Sequence, residues 1–272
     1  MVAKSAADGK TRIGIGGWNF PAWRDNFYPA DLVQRRELEY SSRRLGAIEI
    51  NSTFYRSQKP ATYARWASET PEDFVFSIKA PRYISQSSAL AQAGAAASRF
   101  IDAGLAEFGP RLGPILWQLA PTRKFNRDDL AGFLDALPRD LDGRRLRHAL
   151  EVRHESFLDP DFVGLARDHS VATVYTDSDD YPSLADITGD FVYARLMRTR
   201  EELQSGYAEG ELDGWAKRVG EWSRGADLPE LPHVAEPHAT SVPRDVFTFF
   251  ISGAKARNPA AAMALMQRLP PA

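Results

Sequence analysis

Glu49 and Asn51 stand two residues apart in AIEINSTFYR, and on an extended chain that spacing turns both to one side with Ala47, while Ile48 and Ile50 turn to the other. Tyr55 and Arg56 follow at once. The arrangement recurs along the chain. Lys79 ends DFVFSIKAP (73–81) in phase with Val75 and Ser77, and Gln118 lies on the polar side of GPILWQLAP (113–121). Glu151 and Arg153 share a side in LRHALEVRH (146–154), Thr173, Tyr175 and Asp177 lie in phase in VATVYTD (171–177), and Tyr193 and Arg195 do so in DFVYARL (190–196).

Three carboxylates and three cations thus form a candidate catalytic set: Glu49, Glu151, Asp177, Lys79, Arg153 and Arg195. Trp18, Asn51, Tyr55, Arg56, Gln118, Tyr193, Arg198 and Tyr207 form a candidate ligand-binding set. Arginine and lysine grip anionic groups while carboxylates accept hydrogen bonds, so the ligand expected is small and polar or anionic. The competing reading is a salt-bridge network that satisfies buried charge, although leucine and valine would fill such a space at lower desolvation cost.

These residues need a frame that makes them converge. Eight stretches read as strands, RIGIG (12–16) first and DVFTFFI (245–251) last, and nearly all are followed by a helix or a loop with a short helix. That order implies parallel strands with crossovers, and eight is the number that closes. An open doubly wound sheet would show near-continuous apolar strands instead of polar ends on one phase. The fold class expected is therefore α/β, a single (β/α)8 TIM-like barrel with irregular loops over residues 12–272, after a disordered segment 1–11. The polar set would ring the C-terminal ends of the strands, where chemistry sits in such barrels.

In that frame the strands of Glu49 and Glu151 stand about 14 Å apart, leaving their carboxyl groups roughly 6 to 8 Å apart, near the separation of inverting glycosidases. The neighbouring arginines favour the ionised carboxylate and weaken a general-acid role.

The remaining expectations are more local. Gly14 and Gly16 face inward and leave open space in the first strand. The loop carrying Trp18, Trp23, Phe27 and Tyr28 packs over the barrel end or offers a stacking platform. Asp31 caps a helix to about residue 45, an alanine-rich helix runs from about 89 to 108, and Asn126 caps another. Other helices are expected near 60–69, 159–169, 212–223 and 259–268. A proline-rich connector, 225–244, lies at the face opposite the site.

Of five histidines only His154 falls near a strand end, out of phase with Glu151 and Arg153. No metal site and no cofactor are expected, and the glycines at 14, 16 and 17 do not form a dinucleotide or phosphate loop. With no cysteine, disulfides and thiolate metal sites are excluded. Thirty-four basic against thirty-six acidic residues give a net charge of -2 over 272 residues, which carries no broad field for a polyanion. No secretory signal and no membrane span are read, so a cytoplasmic protein without a membrane partner is expected. The oligomeric state is left open.

GGW (16–18), FYP (27–29), EINSTFYR (49–56), FSIKAP (76–81), LWQLAP (116–121), LEVRHESF (150–157) and FVYARL (191–196) resemble, in order, the motifs of the YecE-like family, domain of unknown function 72. The resemblance implies a TIM-like barrel of unestablished function, and through a likeness to endonuclease IV-type barrels it implies nucleic acid as a partner to test. This chain departs from the pattern in three places. Ile84, Ser85 and Gln86 stand where relatives read I-T-H, and Arg195, Leu196, Met197 and Arg198 where they read R-L-H-G. Ser252 and Gly253 replace an asparagine pair. Two functions remain: a hydrolase-like enzyme on a phosphorylated, phosphodiester or glycosidic substrate, and a non-catalytic nucleic-acid or nucleotide binding protein.

Overall fold

Eight parallel strands close into one barrel in the computed structural model, which describes residues 8–237 and 242–270. They are β1 (Thr11–Gly16), β2 (Ala47–Ile50), β3 (Val75–Lys79), β4 (Leu112–Gln118), β5 (His148–Glu151), β6 (Ala172–Asp177), β7 (Phe191–Leu196) and β8 (Asp245–Phe250). Each pairs with its sequence neighbours, and β1 also pairs with β8, Gly14 opposite Phe249. That last pairing removes both sheet edges and rules out the open sheet.

Alternation sorts the side chains. Ile13, Ile15, Ile48, Ile50, Phe76 and Ile78 pack outward in the main core, and Trp117 and Leu150 join them. Inside the barrel lies a smaller apolar cluster that includes Ala47, Leu116, Ala149, Phe191, Phe247 and Phe249. The lower interior is thus filled by alanine and aromatic rings, and the polar residues begin only above it.

The glycines of β1 do not leave a void. A Cβ on Gly14 would stand 2.0 Å from the Ala47 carbonyl oxygen, and one on Gly16 would stand 2.7 Å from the Asn51 amide nitrogen. The space expected to be open is taken by the neighbouring backbone and by a site residue.

The outer layer comprises α1 (Glu37–Ser42), α2 (Pro60–Ser68), α3 (Gly94–Asp102), α4 (Arg127–Ala136), α5 (Pro160–Asp168), α6 (Glu209–Ser223) and α7 (Asn258–Met266). Asn126 accepts a hydrogen bond from the Asp129 N–H at the start of α4, and Asp159 accepts one from Asp161 ahead of α5. Two expectations are corrected. Asp31 caps nothing, because a 3-10 turn at Gln34–Arg36 precedes a shorter α1. The alanine-rich stretch is broken after α3 by Gly104, which turns to φ 133° and fits against Pro60.

The connector returns the chain from α6 to the start of β8, at the face opposite the strand C-termini. It is pinned where the Val234 and Ala235 N–H groups donate to the Asp186 carboxylate. His238, expected on it, lies outside the described residues, as do residues 1–7 of the segment expected to be disordered. The rest of that segment is engaged: the Gly9 N–H bonds the Ser223 carbonyl and Thr11 opens β1.

Candidate functional site

The upper interior is polar because β2, β5 and β7 each aim an ionic side chain at the barrel axis. Arg195, from β7, donates through Nη2 and Nε to the two oxygens of Glu49 at 3.0 and 3.2 Å, and through Nη1 to Glu151 at 2.5 Å. All three are buried. The network extends outward: Arg153 Nε donates to the other Glu151 oxygen at 2.8 Å, Gln118 Nε2 donates to Glu151 at 2.7 Å, and the Tyr193 hydroxyl donates to Glu49 at 2.7 Å. Ser77 lies 2.8 Å from that hydroxyl. Strands β2, β3, β4, β5 and β7 are thereby tied across the lumen.

Burial by itself opposes ionisation of Glu151, but the charges of Arg195, Arg153 and Lys79 outweigh it and hold the carboxyl below its ordinary value. Burial likewise opposes the Arg195 charge, and Glu151 and Glu49 overcome it and raise its affinity for the proton. Glu151 therefore stays ionised, and both carboxylates are paired with Arg195. The gap across the barrel holds the Arg195 guanidinium.

Above this floor opens a cleft of about 1420 Å³ walled by residues from the loops after β1, β2, β3, β5, β6, β7 and β8. Lys79, Arg153, Gln118, Asn51, Trp18 and Tyr55 line it, Tyr55 at 76% exposure on the rim. Arg195 shows through the floor, and Arg198 stands at the edge, shared with Asp177 at 3.3 Å and Asp179 at 3.0 Å. Trp18 is held edge-on against Trp66 at 4.9 Å, and its loop neighbours Trp23, Phe27 and Tyr28 are buried as packing.

Lys79 differs from the other cations. It is the last residue of β3, its amine stands 4.2 Å from the centre of the Phe54 ring, and it makes no hydrogen bond or ion pair through its side chain among the described residues. Burial and the adjacent Arg195 pull it down to about 8, against the attraction of Glu49 and Glu151.

Four assignments are corrected. Asp177 does not join the polar ring, because β6 turns Ala172 and Val174 into the lumen and sends Tyr175 outward against Trp215 and Trp222. Asp177 follows Tyr175 and meets Arg198 and Tyr207, with burial raising its carboxyl despite Arg198. Tyr193 lies beneath the cleft as a support of Glu49, Tyr207 is buried under Arg198, and Arg56 is exposed outside the wall.

Residues not singled out from the sequence also line or brace the cleft. Tyr181 receives Arg153 both as a hydrogen bond at 3.2 Å and as a ring 4.1 Å away. Phe54 lies under Lys79, and Lys255 reaches the wall from the loop after β8. Ser252, at the position of the absent asparagine pair, is buried and bonded to Thr199 and to Asn258. His154 accepts the Ser156 N–H and caps a short turn. Among the described residues no three His, Asp or Glu side chains converge as a metal ligand set, and no helix is long and apolar enough to cross a membrane.

A family model described as protein of unknown function DUF72 matches residues 12–272. A DUF72 family protein from Thermotoga maritima MSB8 has a similar structure at a TM-score of 0.70 and 22% identity, over 94% of this chain and 97% of that one. One from Enterococcus faecalis V583 follows at 0.69 and 15%, over 95% of each. In sequence, UPF0759 protein YunF of Bacillus subtilis strain 168 is 32% identical over 68 residues, a stretch that spans 25% of this chain and only 23% of the Bacillus protein's length.

Proposed function

The chain belongs to the DUF72 family of proteins of unknown function, and we propose that its cleft is the active site of a hydrolase-like enzyme for a phosphorylated or phosphodiester substrate. The observation that carries this reading is where the charge sits. Lys79, Arg153, Arg198 and Lys255 reach the cleft, the acidic wall residues Asp179 and Glu211 are paired with Arg198 and Arg200 while Asp180 stands beside them, and Glu49 and Glu151 lie beneath with their charge already met by arginine. An anionic group entering the cleft meets an uncommitted amine and donors held in fixed rotamers.

The division of labour follows from the contacts. Arg153, clamped between Glu151 and Tyr181, orients the substrate's anionic group. Lys79, close to half-protonated slightly above neutral pH, donates a proton to the leaving oxygen or neutralises the charge developing there. Glu49, Glu151 and Arg195 are positioning residues that keep Arg153 and Gln118 aimed. A glycosidic substrate is a poorer match, since it calls for two carboxyl groups free to trade protons and both are locked on guanidinium groups.

The test is turnover of p-nitrophenyl phosphate and bis(p-nitrophenyl) phosphate by the full chain and by Lys79→Met. Activity in the native protein that disappears in the variant, at an unchanged melting temperature, is the expected result. No turnover of either compound, or equal turnover by the variant, overturns the assignment.

A second reading, non-catalytic binding of a nucleotide or single-stranded nucleic acid, is favoured by Tyr55 at the rim with Arg56 exposed beside it and Trp18 in the wall. Base stacking on such rings is tolerant of sequence, and phosphate contacts make affinity fall with salt. Oligonucleotide binding unaffected by salt removes it.

A further inference from the structure

We propose that Lys79 is a Schiff-base lysine whose amine condenses with the aldehyde or ketone group of a phosphate-bearing, open-chain sugar in the cleft. The inference rests on the preceding reading only for the cleft as the place where an anionic ligand binds.

Three features of the geometry point to it. The first is position: Lys79 ends a barrel strand, and its main chain is held on both sides. The Thr53 hydroxyl lies 2.7 Å from the Lys79 carbonyl oxygen and 3.0 Å from that of Ile50, and the Ala80 N–H donates to Leu116 at 2.9 Å. The amine is therefore presented from a rigid base. The second is solitude. A lysine beside two glutamates would ordinarily be an ammonium locked in an ion pair and useless as a nucleophile. Here Arg195 and Arg153 occupy those carboxylates, so among the described residues the amine has the Phe54 ring beside it and neither a hydrogen bond nor an ion pair.

The third is the electrostatic surroundings. The charged groups facing Lys79 are Arg195 from β7, Glu49 from β2, and Glu151 and Arg153 from β5 and the residues after it. They balance in pairs, leaving desolvation to favour the neutral amine, which is the form that attacks a carbonyl. A phosphate on the same molecule finds Arg153 and Arg198 on the wall.

The step balances without a co-reactant. The nitrogen lone pair forms a bond to the carbonyl carbon, and the carbonyl oxygen takes the proton that nitrogen releases, giving a carbinolamine. Loss of that hydroxyl as water, with the second nitrogen proton, leaves the C=N bond.

The full chain is incubated with glycolaldehyde phosphate and sodium cyanoborohydride, whose hydride reduces an imine to a stable secondary amine, and the adduct is located by peptide mass mapping. Expected is one adduct per chain at Lys79, at least tenfold above any other lysine, with a yield that rises as pH passes through about 8. Glycolaldehyde, which lacks the phosphate, labels Lys79 more weakly, and excess inorganic phosphate suppresses the phosphorylated probe. Labelling spread over Lys59, Lys217 and Lys255 without preference for Lys79 overturns the proposal. The native chain suffices for that comparison, and Lys79→Arg, which keeps the charge, confirms the site by losing the adduct while remaining folded. Phosphate-ester turnover without a Lys79 adduct sinks the imine alone. A Lys79 adduct without such turnover sinks the hydrolase reading alone.

Discussion

Arg195 and Glu49 meet through two parallel hydrogen bonds, 3.0 and 3.2 Å long, inside a barrel that buries both. A fork of this kind is the strong form of an ion pair, and a third nitrogen of the same guanidinium engages Glu151. One cation thus bridges two carboxylates, both buried.

Removing that cation leaves two buried carboxylates short of charge. Arg195→Met is expected to destabilise the fold by about 3 to 5 kcal/mol, the usual cost of breaking a buried pair on one side. Urea unfolding measures it. A loss below about 1 kcal/mol means the two glutamates are solvated or protonated in the native state, contrary to the network described.

Gly14 and Gly16 separate backbone crowding from side-chain crowding. A methyl at 14 runs into the Ala47 carbonyl between paired strands, so Gly14→Ala should cost about 2 to 3 kcal/mol. At 16 the obstacle is the end of Asn51, which can swing away into the cleft. Gly16→Ala should cost less than about 1 kcal/mol while weakening ligand binding. Equal losses in denaturation midpoints contradict this division.

His148, at the bottom of β5, accepts the Trp117 indole N–H at 3.0 Å and lies 2.7 Å from the Pro138 carbonyl, which fixes a neutral ring protonated on Nε2. Burial pushes it down to about 4. The unfolded chain takes a proton below its ordinary value of about 6.5 and the folded chain does not. Stability therefore holds above that value and falls as pH drops toward 4, by up to about 3 kcal/mol. His148→Gln should flatten that part of the stability profile, and an unchanged slope counts against the tautomer.

His233 works with the opposite sign. Its two ring nitrogens face acceptors, Leu231 O at 2.7 Å and Asp227 at 2.9 Å, surroundings that favour the doubly protonated ring. Burial opposes the charge, but the Asp227 and Leu231 hydrogen bonds prevail and raise the imidazole above its ordinary value. The stabilisation is complete below that ordinary value and is lost as pH rises through the raised one. Amide exchange at Val234 and Ala235 should quicken over that range in the native chain and show no such step in His233→Gln.

The eight strands and the inward phase of Glu49, Lys79, Glu151 and Arg195 were legible because alternation is written in the residues themselves. The phase of β6 was not. Thr173, Tyr175 and Asp177 read as a polar side, but Tyr175 fills the gap between the sheet and α6 against Trp215 and Trp222, which turns Asp177 away. The small Ala172 and Val174 were the available signal. Pairings were beyond reach: nothing in the spacing of Glu49 and Glu151 says that one arginine takes both. Tyr181 and Lys255 come from loops whose course no periodicity records, and Asn51 needed the absence of a side chain at Gly16 to be seen as a fitted group.

The ionic trio spans 146 residues between Glu49 and Arg195 and 44 between Glu151 and Arg195. Until β7 arrives, Glu49 lacks its cation and Glu151 has only Arg153, so the lumen drains only after most of the chain has collected around it. Substitutions at Arg195 should then speed unfolding and leave the refolding rate nearly untouched, which makes this site a lock set after the barrel has formed and not the seed from which it grows.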